Sequence, residues 1–544
     1  MLVAPPAGEY HGVFRNDIEA RAAYAEAAGI GREIPAAVAV PFSARDVETL
    51  VRWARDQRRF LVPRGSGSSM SGGAIGSGVI VDLSRLDAIC TPDRDARCVS
   101  VGPGAVRNRV DAAASVVGLR FPVDPSSGAF CSIGGMVATN AAGARTLRYG
   151  ATRAWVNALD CVFSDGSRSV VRRGAAPATV PPVERFLADV APAILSAVRR
   201  EQSVLRKNSS GYALAEYAAS GELVDLLVGS EGTLAIIVGV ELALTELPGA
   251  TASLLVSYQS LDEAVIGAGE ARAASASACE LLDRTFLDVA AGGGALPVPA
   301  QTQAVLLVEL EARHAAEVAG KARALGAALQ ARGATSVALG LDASEEERLW
   351  ELRHAASPIL ARLDPSLKSM QFVEDGVVPP DRLADYVRGV RATLDRHGVA
   401  GVIFGHAGDA HVHVNPLIDV RRPDWRARVN AILDDVVELT ARLGGSLAGE
   451  HGDGRLRAPL VHRTTAQSDL KLAHRVKQAF DPEGLFNPGV KVALPEQQPI
   501  GDIKYDPMLP PLPPSAARVL VRVERERAYA EFRLAMLEQE SRSD

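Results

Sequence analysis

A run of glycine and serine, Arg64-Gly65-Ser66-Gly67-Ser68-Ser69, lies between two apolar segments and restricts the fold more than any other stretch of the chain. Upstream, SARDVETLVRWARDQ opens with a capping box, Ser43 and Asp46, and places Val47, Leu50, Val51 and Ala54 at helical spacing. Phe60 to Val62 and Val79 to Leu83 read as strands, so the order is helix, strand, loop, strand. Backbone N–H groups in a loop with few Cβ atoms can close on a pyrophosphate, and serine hydroxyls add donors. A Rossmann site needs its glycines to open a helix, whereas this loop runs through Gly72-Gly73 into a strand. NAD is therefore not the expected nucleotide.

The 544 residues, 47% of them hydrophobic, suffice for two or more domains. A formal charge of -6 and dispersed arginines offer no field for nucleic acid. The N-terminal stretch has no basic region followed by an apolar one, and no run approaches the roughly 18 apolar residues of a membrane span. The expectation is a cytoplasmic protein, with peripheral contact at the inner face of a membrane left open. Five cysteines, none in C-x-x-C spacing, exclude an iron–sulfur cluster carried by the chain itself.

A second small-residue region spans Pro125 to Gly143, and LLVGSEGTLAIIVGVELAL reads as two strands joined by a turn at Ser230 to Gly232. After Pro248, strands (Ala252 to Tyr258, Ala304 to Leu310) alternate with alanine-rich helices, as in a separate α+β domain. A helix from Trp425 stops at Gly444-Gly445. The proline-rich Pro507 to Ser515 leads to one charged amphipathic helix, about Ala516 to Glu540, expected to be an appendage to the catalytic core.

Four of the ten histidines, His406, His411, His413 and His451, fall within 46 residues. In VIFGHAGDAHVHVN the Gly-Asp pair predicts a tight turn that sets His406 opposite His411. The period of two then puts His411, His413 and Asn415 on one face. Gly449-Glu450-His451-Gly452 supplies a carboxylate and another imidazole. Two neutral imidazoles, a carboxylate and an open position are a common catalytic zinc arrangement. Geometry alone does not choose between His411 and His413 as ligand.

The ordered set PRGSGSSMSGG, SIGGMVATNAAGARTLRYG, KNSSGYAL, GSEGTLAII and FNPGVK resembles the vanillyl-alcohol-oxidase type flavoproteins, specifically the D-lactate dehydrogenase, glycolate oxidase and D-2-hydroxyglutarate dehydrogenase branch. The resemblance implies an α+β fold, with a PCMH-type FAD-binding domain (1–247, core about 35–247) and a ferredoxin-like substrate cap (248–460). Residues 461–496 return to the FAD domain, and 497–544 form the linker and helix. It assigns FAD to Arg64, Gly65, Ser66, Gly67, Ser68 and Ser69, and to Ser132, Gly134, Gly135, Thr139, Asn140 and Gly143. Glu231 and Ile237 fall on the adenine and ribose side and Asn487 near the flavin ring. No histidine occurs between His11 and His314 to tether the flavin, and the spacing around Cys131 does not match a cysteinyl link, so the FAD is expected to be non-covalent.

The resemblance selects His406, His413 and Glu450 as ligands of a divalent metal, expected to be zinc, with His451 as the base. Where relatives often carry asparagine this chain has His411, leaving open a three-histidine site or a supporting role. Arg353 and Lys368 would bind the substrate carboxylate, Asn415 would lie beside it, and Ser357 would add a hydrogen bond. The implied reaction is oxidation of a small D-2-hydroxy acid to its 2-keto acid: the hydroxyl on the metal, its proton to His451, the α-hydrogen to the flavin as hydride. EHGDGR-x-R and IKYDP resemble relatives in which an iron–sulfur domain follows, so an Fe-S protein, quinone or cytochrome is the expected acceptor. Two rival readings are a non-catalytic FAD-binding subunit of a glycolate-oxidase-like complex and a colourless zinc hydrolase.

Overall fold

In the computed structural model the described residues are 4–197, 204–291, 296–360, 366–527 and 530–540, with the side chains of 354–360 and 539–540 outside the description. The capping box forms as written: Ser43 accepts from Asp46 N, Asp46 reaches back, and Ala44–Asp56 buries Val47, Leu50, Val51 and Ala54. That face packs on a four-stranded sheet in the order Val13–Arg15, Ala37–Val40, Val79–Asp82, Leu61–Arg64. Leu61–Arg64 and Val79–Asp82 are parallel neighbours, so the glycine-rich loop leaves one strand end and returns through the next. A second sheet orders Cys98–Val101, Ile236–Ala243, Val156–Val162 and Arg168–Arg172, all antiparallel.

The third sheet has eight strands, seven of them in the order Ser336–Gly340, Ala250–Tyr258, Ala304–Ala312, Ala278–Asp283, Gly401–His406, His411–Asp419, Leu367–Ser369. Its first four, with the helices Leu261–Ala273 and Ala315–Ala331 between them in the chain, make the ferredoxin-like arrangement expected of the cap. The Gly401–His406 and His411–Asp419 hairpin extends that sheet, and its register carries the histidines. Arg145, two residues past the second small-residue region, forks onto Glu309 of the cap at 2.8 and 2.6 Å, and Arg120 pairs with Glu311 at 2.8 Å. These charge-assisted contacts, the first of them bidentate, tie this sheet to the part of the chain that carries the glycine loops.

Three expectations are corrected. The segment expected to be the first strand of LLVGSEGTLAIIVGVELAL instead ends a short helix, Leu223–Leu227, and only Ile236–Ala243 is a strand. All five residues of that helix are buried, so no polar face marks its period. The C-terminal helix is also two helices, Pro514–Glu526 and Glu531–Glu540, broken at Arg527 in the left-handed conformation. Nor is it an appendage: Ala516, Met536 and Leu537 pack with Ala20, Ala23, Tyr24, Val40, Val62 and Ile80. Buried Arg533 donates to Ala23 O at 2.8 Å and Glu26 O at 3.1 Å, closing this contact with the N-terminal segment. No helix among the described residues is long and apolar enough to cross a membrane.

Candidate active site

A cavity of about 1370 Å³ runs from the two glycine-rich loops to the histidine hairpin. It exceeds the roughly 300–1,000 Å³ of ordinary small-molecule sites, leaving room for a dinucleotide and a small acid. Of the residues assigned to FAD, Arg64 to Ser69, Ser132, Gly134, Gly135, Thr139, Gly143, Glu231 and Ile237 line it. The loops touch at Gly65, where an added Cβ would lie 2.0 Å from Ser132 Oγ. The carbonyls of Gly67 and Ser69 accept from the amides of Ala28 and Gly29, and buried Ser69 Oγ has no hydrogen-bond partner. An orphaned hydroxyl on a glycine loop fits an anionic group such as the FAD pyrophosphate.

Two assigned residues do not line the cavity. Asn140 caps the helix Ile133–Thr139, and its Oδ1 accepts from Arg153 N at 2.9 Å. Asn487 donates to Gly73 O and Glu231 O, both at 2.9 Å, and accepts from Arg455, so it pins three motifs together behind the wall. The Arg64 guanidinium is likewise turned inward, onto the carbonyls of Tyr24, Glu26 and Ala74. Glu231, although at the wall, accepts from the amides of Asp453 and Gly454 and pairs with Lys491 at 2.9 Å. It thereby anchors the loop that follows His451.

At the other end the hairpin register sets His406 directly opposite His411, and Phe404 opposite His413. The turn Ala407–Asp409, closed by Ala410 in the left-handed conformation, is the tight connection the Gly-Asp pair predicts. Glu450 enters from a separate loop, with Oε1 at 3.2 Å from His406 Nε2 and 3.3 Å from His413 Nε2. The ligand atoms of His406, His411, His413 and Glu450 lie within 4.8 Å of one another, and all four residues are buried. A second, overlapping group joins Asp375, His413 and His451. His406 gives its other nitrogen to Glu280 at 2.6 Å and His413 to Glu374 O at 3.0 Å, the outer contacts that orient metal-binding imidazoles. The donor set therefore fits a divalent ion.

His451 stacks on His413, with ring centroids 5.3 Å apart, and its Nδ1 is held by Glu374 at 3.1 Å. Burial opposes its positive charge, but Asp375 and Glu374 outweigh burial and push the imidazole up to about 9. A cation in the neighbouring His/Glu set acts in the opposite direction and favours the neutral base. The Glu450 carboxyl is held well below the usual range, against its burial, by Lys207 and His406. Arg353 pairs with Glu280 at 3.0 Å and lies 4.8 Å over the Phe404 ring, while Lys368 stands 5.7 Å from the Tyr505 ring. Arg353, Lys368 and Asn415 all line the cavity beside the histidines. The Ser357 side chain lies outside the described residues.

Four supporting residues were not singled out from sequence. Glu280 holds both His406 and Arg353, so one carboxylate positions a candidate ligand and a candidate substrate cation. Lys207, inside the motif KNSSGYAL, is buried at 2.9 Å from Glu450 Oε2. Glu374 and Asp375, adjacent and both buried, meet Arg457. The available signal was two adjacent acids inside the apolar run QFVEDGVV, since charges at buried positions are retained with partners. The C-terminal segment was missed as well: Lys504, Tyr505, Glu524 and Arg525 complete the cavity wall.

Comparison with known proteins agrees with this architecture. The family described as FAD binding domain matches residues 35–172, and that described as FAD linked oxidases, C-terminal domain, matches residues 247–490. The chain is 31% identical over 516 residues to a D-2-hydroxyglutarate dehydrogenase of Pseudomonas putida, covering 89% of this chain and 51% of that protein. It thus spans about half the length of that relative. It is 28% identical over 462 residues to the glycolate oxidase subunit GlcD of Bacillus subtilis, covering 84% of this chain and 89% of the other. The structure of 4-ethylphenol oxidase from Gulosibacter chungangensis superposes with a TM-score of 0.67 at 16% identity, covering 90% and 95% of the two chains, which shows the PCMH-type fold. With both domains matched in order, and the glycine loops of the first facing the histidine hairpin of the second, the chain carries an FAD binding domain followed by the C-terminal domain of FAD linked oxidases.

Proposed function

We propose that this chain oxidises a small D-2-hydroxy acid, of the D-lactate, glycolate or D-2-hydroxyglutarate type, to the 2-keto acid and passes the electrons to an external acceptor. The observation that carries the reading is the shared wall: the glycine loops and His406, His413, Glu450, His451, Arg353 and Lys368 line one cavity. When bound, non-covalent FAD supplies a hydride acceptor and a divalent ion supplies Lewis acidity at the substrate hydroxyl. Arg353, held on Glu280 and stacked on Phe404, presents its remaining N–H donors to the substrate carboxylate. Lys368 adds a second cation, and Asn415 sits across the hairpin from Val402 on the histidine face. His451, oriented through Nδ1 by Glu374, has Nε2 left to take the hydroxyl proton.

The intact ligand and base set favours a catalytic chain over a subunit that merely carries FAD. A panel of D- and L-2-hydroxy acids with an artificial dye as acceptor tests the reading. Turnover with at least one D acid and none with its L enantiomer is expected. A yellow protein that reduces dye with no 2-hydroxy acid would favour the non-catalytic subunit.

A further inference from the structure

With His406, His413 and Glu450 as ligands and His451 as the base, one member of the histidine cluster is left without a role. His411 is fully buried, and its Nε2 lies 2.9 Å from Asp375 Oδ1. Its Nδ1 has no hydrogen-bond partner and points toward Glu450, 3.9 Å from Oε2. A neutral imidazole carries one N–H, and a carboxylate on one nitrogen draws that proton to it. Asp375 therefore places the proton on Nε2 and leaves a lone pair on Nδ1, directed inward. His406 and His413 repeat the pattern, each with Nδ1 on an outer acceptor and Nε2 turned to Glu450 Oε1. Three buried imidazoles thus converge three lone pairs on one carboxylate, and two of those nitrogens have no partner but that carboxylate.

Room for the third ring is built in. A Cβ on residue 449 would lie 2.6 Å from His411 Nε2, so the loop carrying Glu450 passes the ring only because Gly449 has no side chain. Lys207 holds the far oxygen of Glu450 at 2.9 Å, which leaves Oε1 as the oxygen shared by His406 and His413. Metal–ligand bonds of roughly 2.0–2.2 Å put ligand atoms roughly 3–4.4 Å apart, so atoms already within 4.8 Å need only a small contraction.

We infer that His411 Nδ1 is a fourth protein ligand, making a site of three histidines and one glutamate. This rests on the reading that the cluster holds a divalent ion. One consequence concerns which ion. Four protein ligands fill a tetrahedral zinc site, so a substrate must add at a fifth or sixth position, which Mn²⁺, Fe²⁺ and Co²⁺ take more readily than Zn²⁺.

The test uses full-length, FAD-loaded protein stripped of metal with a chelator and titrated with Co²⁺. X-ray absorption of the unaltered Co²⁺ protein counts imidazoles, and three are expected. His411→Gln places an amide near the Nε2 position and keeps a donor for Asp375 while removing Nδ1. It should weaken Co²⁺ binding by at least ~10²-fold and change the visible Co²⁺ bands, with flavin content unchanged; an outer contact alone accounts for roughly 10- to 100-fold and leaves the imidazole count at two. Two imidazoles in the unaltered protein, or a His411→Gln protein with the same bands and affinity, overturns the fourth ligand while leaving the two-histidine site standing. Failure of the unaltered protein to bind Co²⁺, Mn²⁺ or Zn²⁺ overturns both.

Discussion

Asp375 is the residue whose removal should cost the site most without touching a substrate. It is fully buried and accepts from His411 Nε2 and His451 N, both at 2.9 Å, and from Glu450 N at 3.3 Å. It ties the loop bearing Glu450 and His451 to the histidine hairpin. Asp375→Ala leaves one imidazole and two amide donors unpaired. Each buried donor left without a partner costs roughly 1–3 kcal/mol, so with water entering the vacated space the loss should be ~3–6 kcal/mol. That is a large share of the roughly 5–15 kcal/mol that stabilises a typical domain. The orienting contact is lost as well, so divalent-ion affinity should fall about 10- to 100-fold. Urea unfolding followed by circular dichroism, together with metal titration of the folded variant, measures both. A loss below about 1 kcal/mol with unchanged metal affinity would refute the idea that this carboxylate holds the two segments together.

Four further outcomes are expected. His451→Ala should keep FAD and metal but slow flavin reduction by roughly 10²- to 10⁴-fold, the usual contribution of a positioned base, measured by anaerobic stopped flow; metal loss in this variant would reassign His451 as a ligand. Truncation after Leu494 removes Met536 and Leu537 from the cluster around Tyr24, at roughly 1.5–3 kcal/mol each, so the shortened chain should lose soluble, flavin-loaded protein, and a fully active truncate would contradict the packing. Burial pushes the Cys131 thiol up to about 11, so at pH 8 iodoacetamide should label exposed Cys90 on the order of 10²-fold faster. Acid precipitation should in turn release the yellow colour to the supernatant, and colour retained in the pellet would point to a covalent link.

What could be read from sequence was whatever a short period or a fixed spacing encodes. The capping box at Ser43 and the alternation from His411 to Asn415 each place side chains by local geometry, and both stand in the structure. Leu223–Leu227 was misread because complete burial erases the polar half of the pattern. Glu280, Lys207 and Asp375 were missed because each reaches His406, Glu450 or His411 from another element, across 126, 243 and 36 positions of chain respectively. The C-terminal helices were set apart by a proline-rich linker that in fact returns the chain to the N-terminal sheet, since proline stiffens a segment without saying where it leads.

The proposed half-reaction joins FAD, the metal cluster and the D configuration. Anaerobic mixing of metal-loaded and metal-stripped protein with the D and L enantiomers of a 2-hydroxy acid, followed at the flavin absorption band, tests all three at once. Rapid bleaching by the D enantiomer in the metal-loaded protein, loss of at least ~10²-fold in rate on stripping, recovery on adding the ion back, and no response to the L enantiomer are expected. Equal bleaching with and without metal, or by both enantiomers, would contradict the proposed half-reaction.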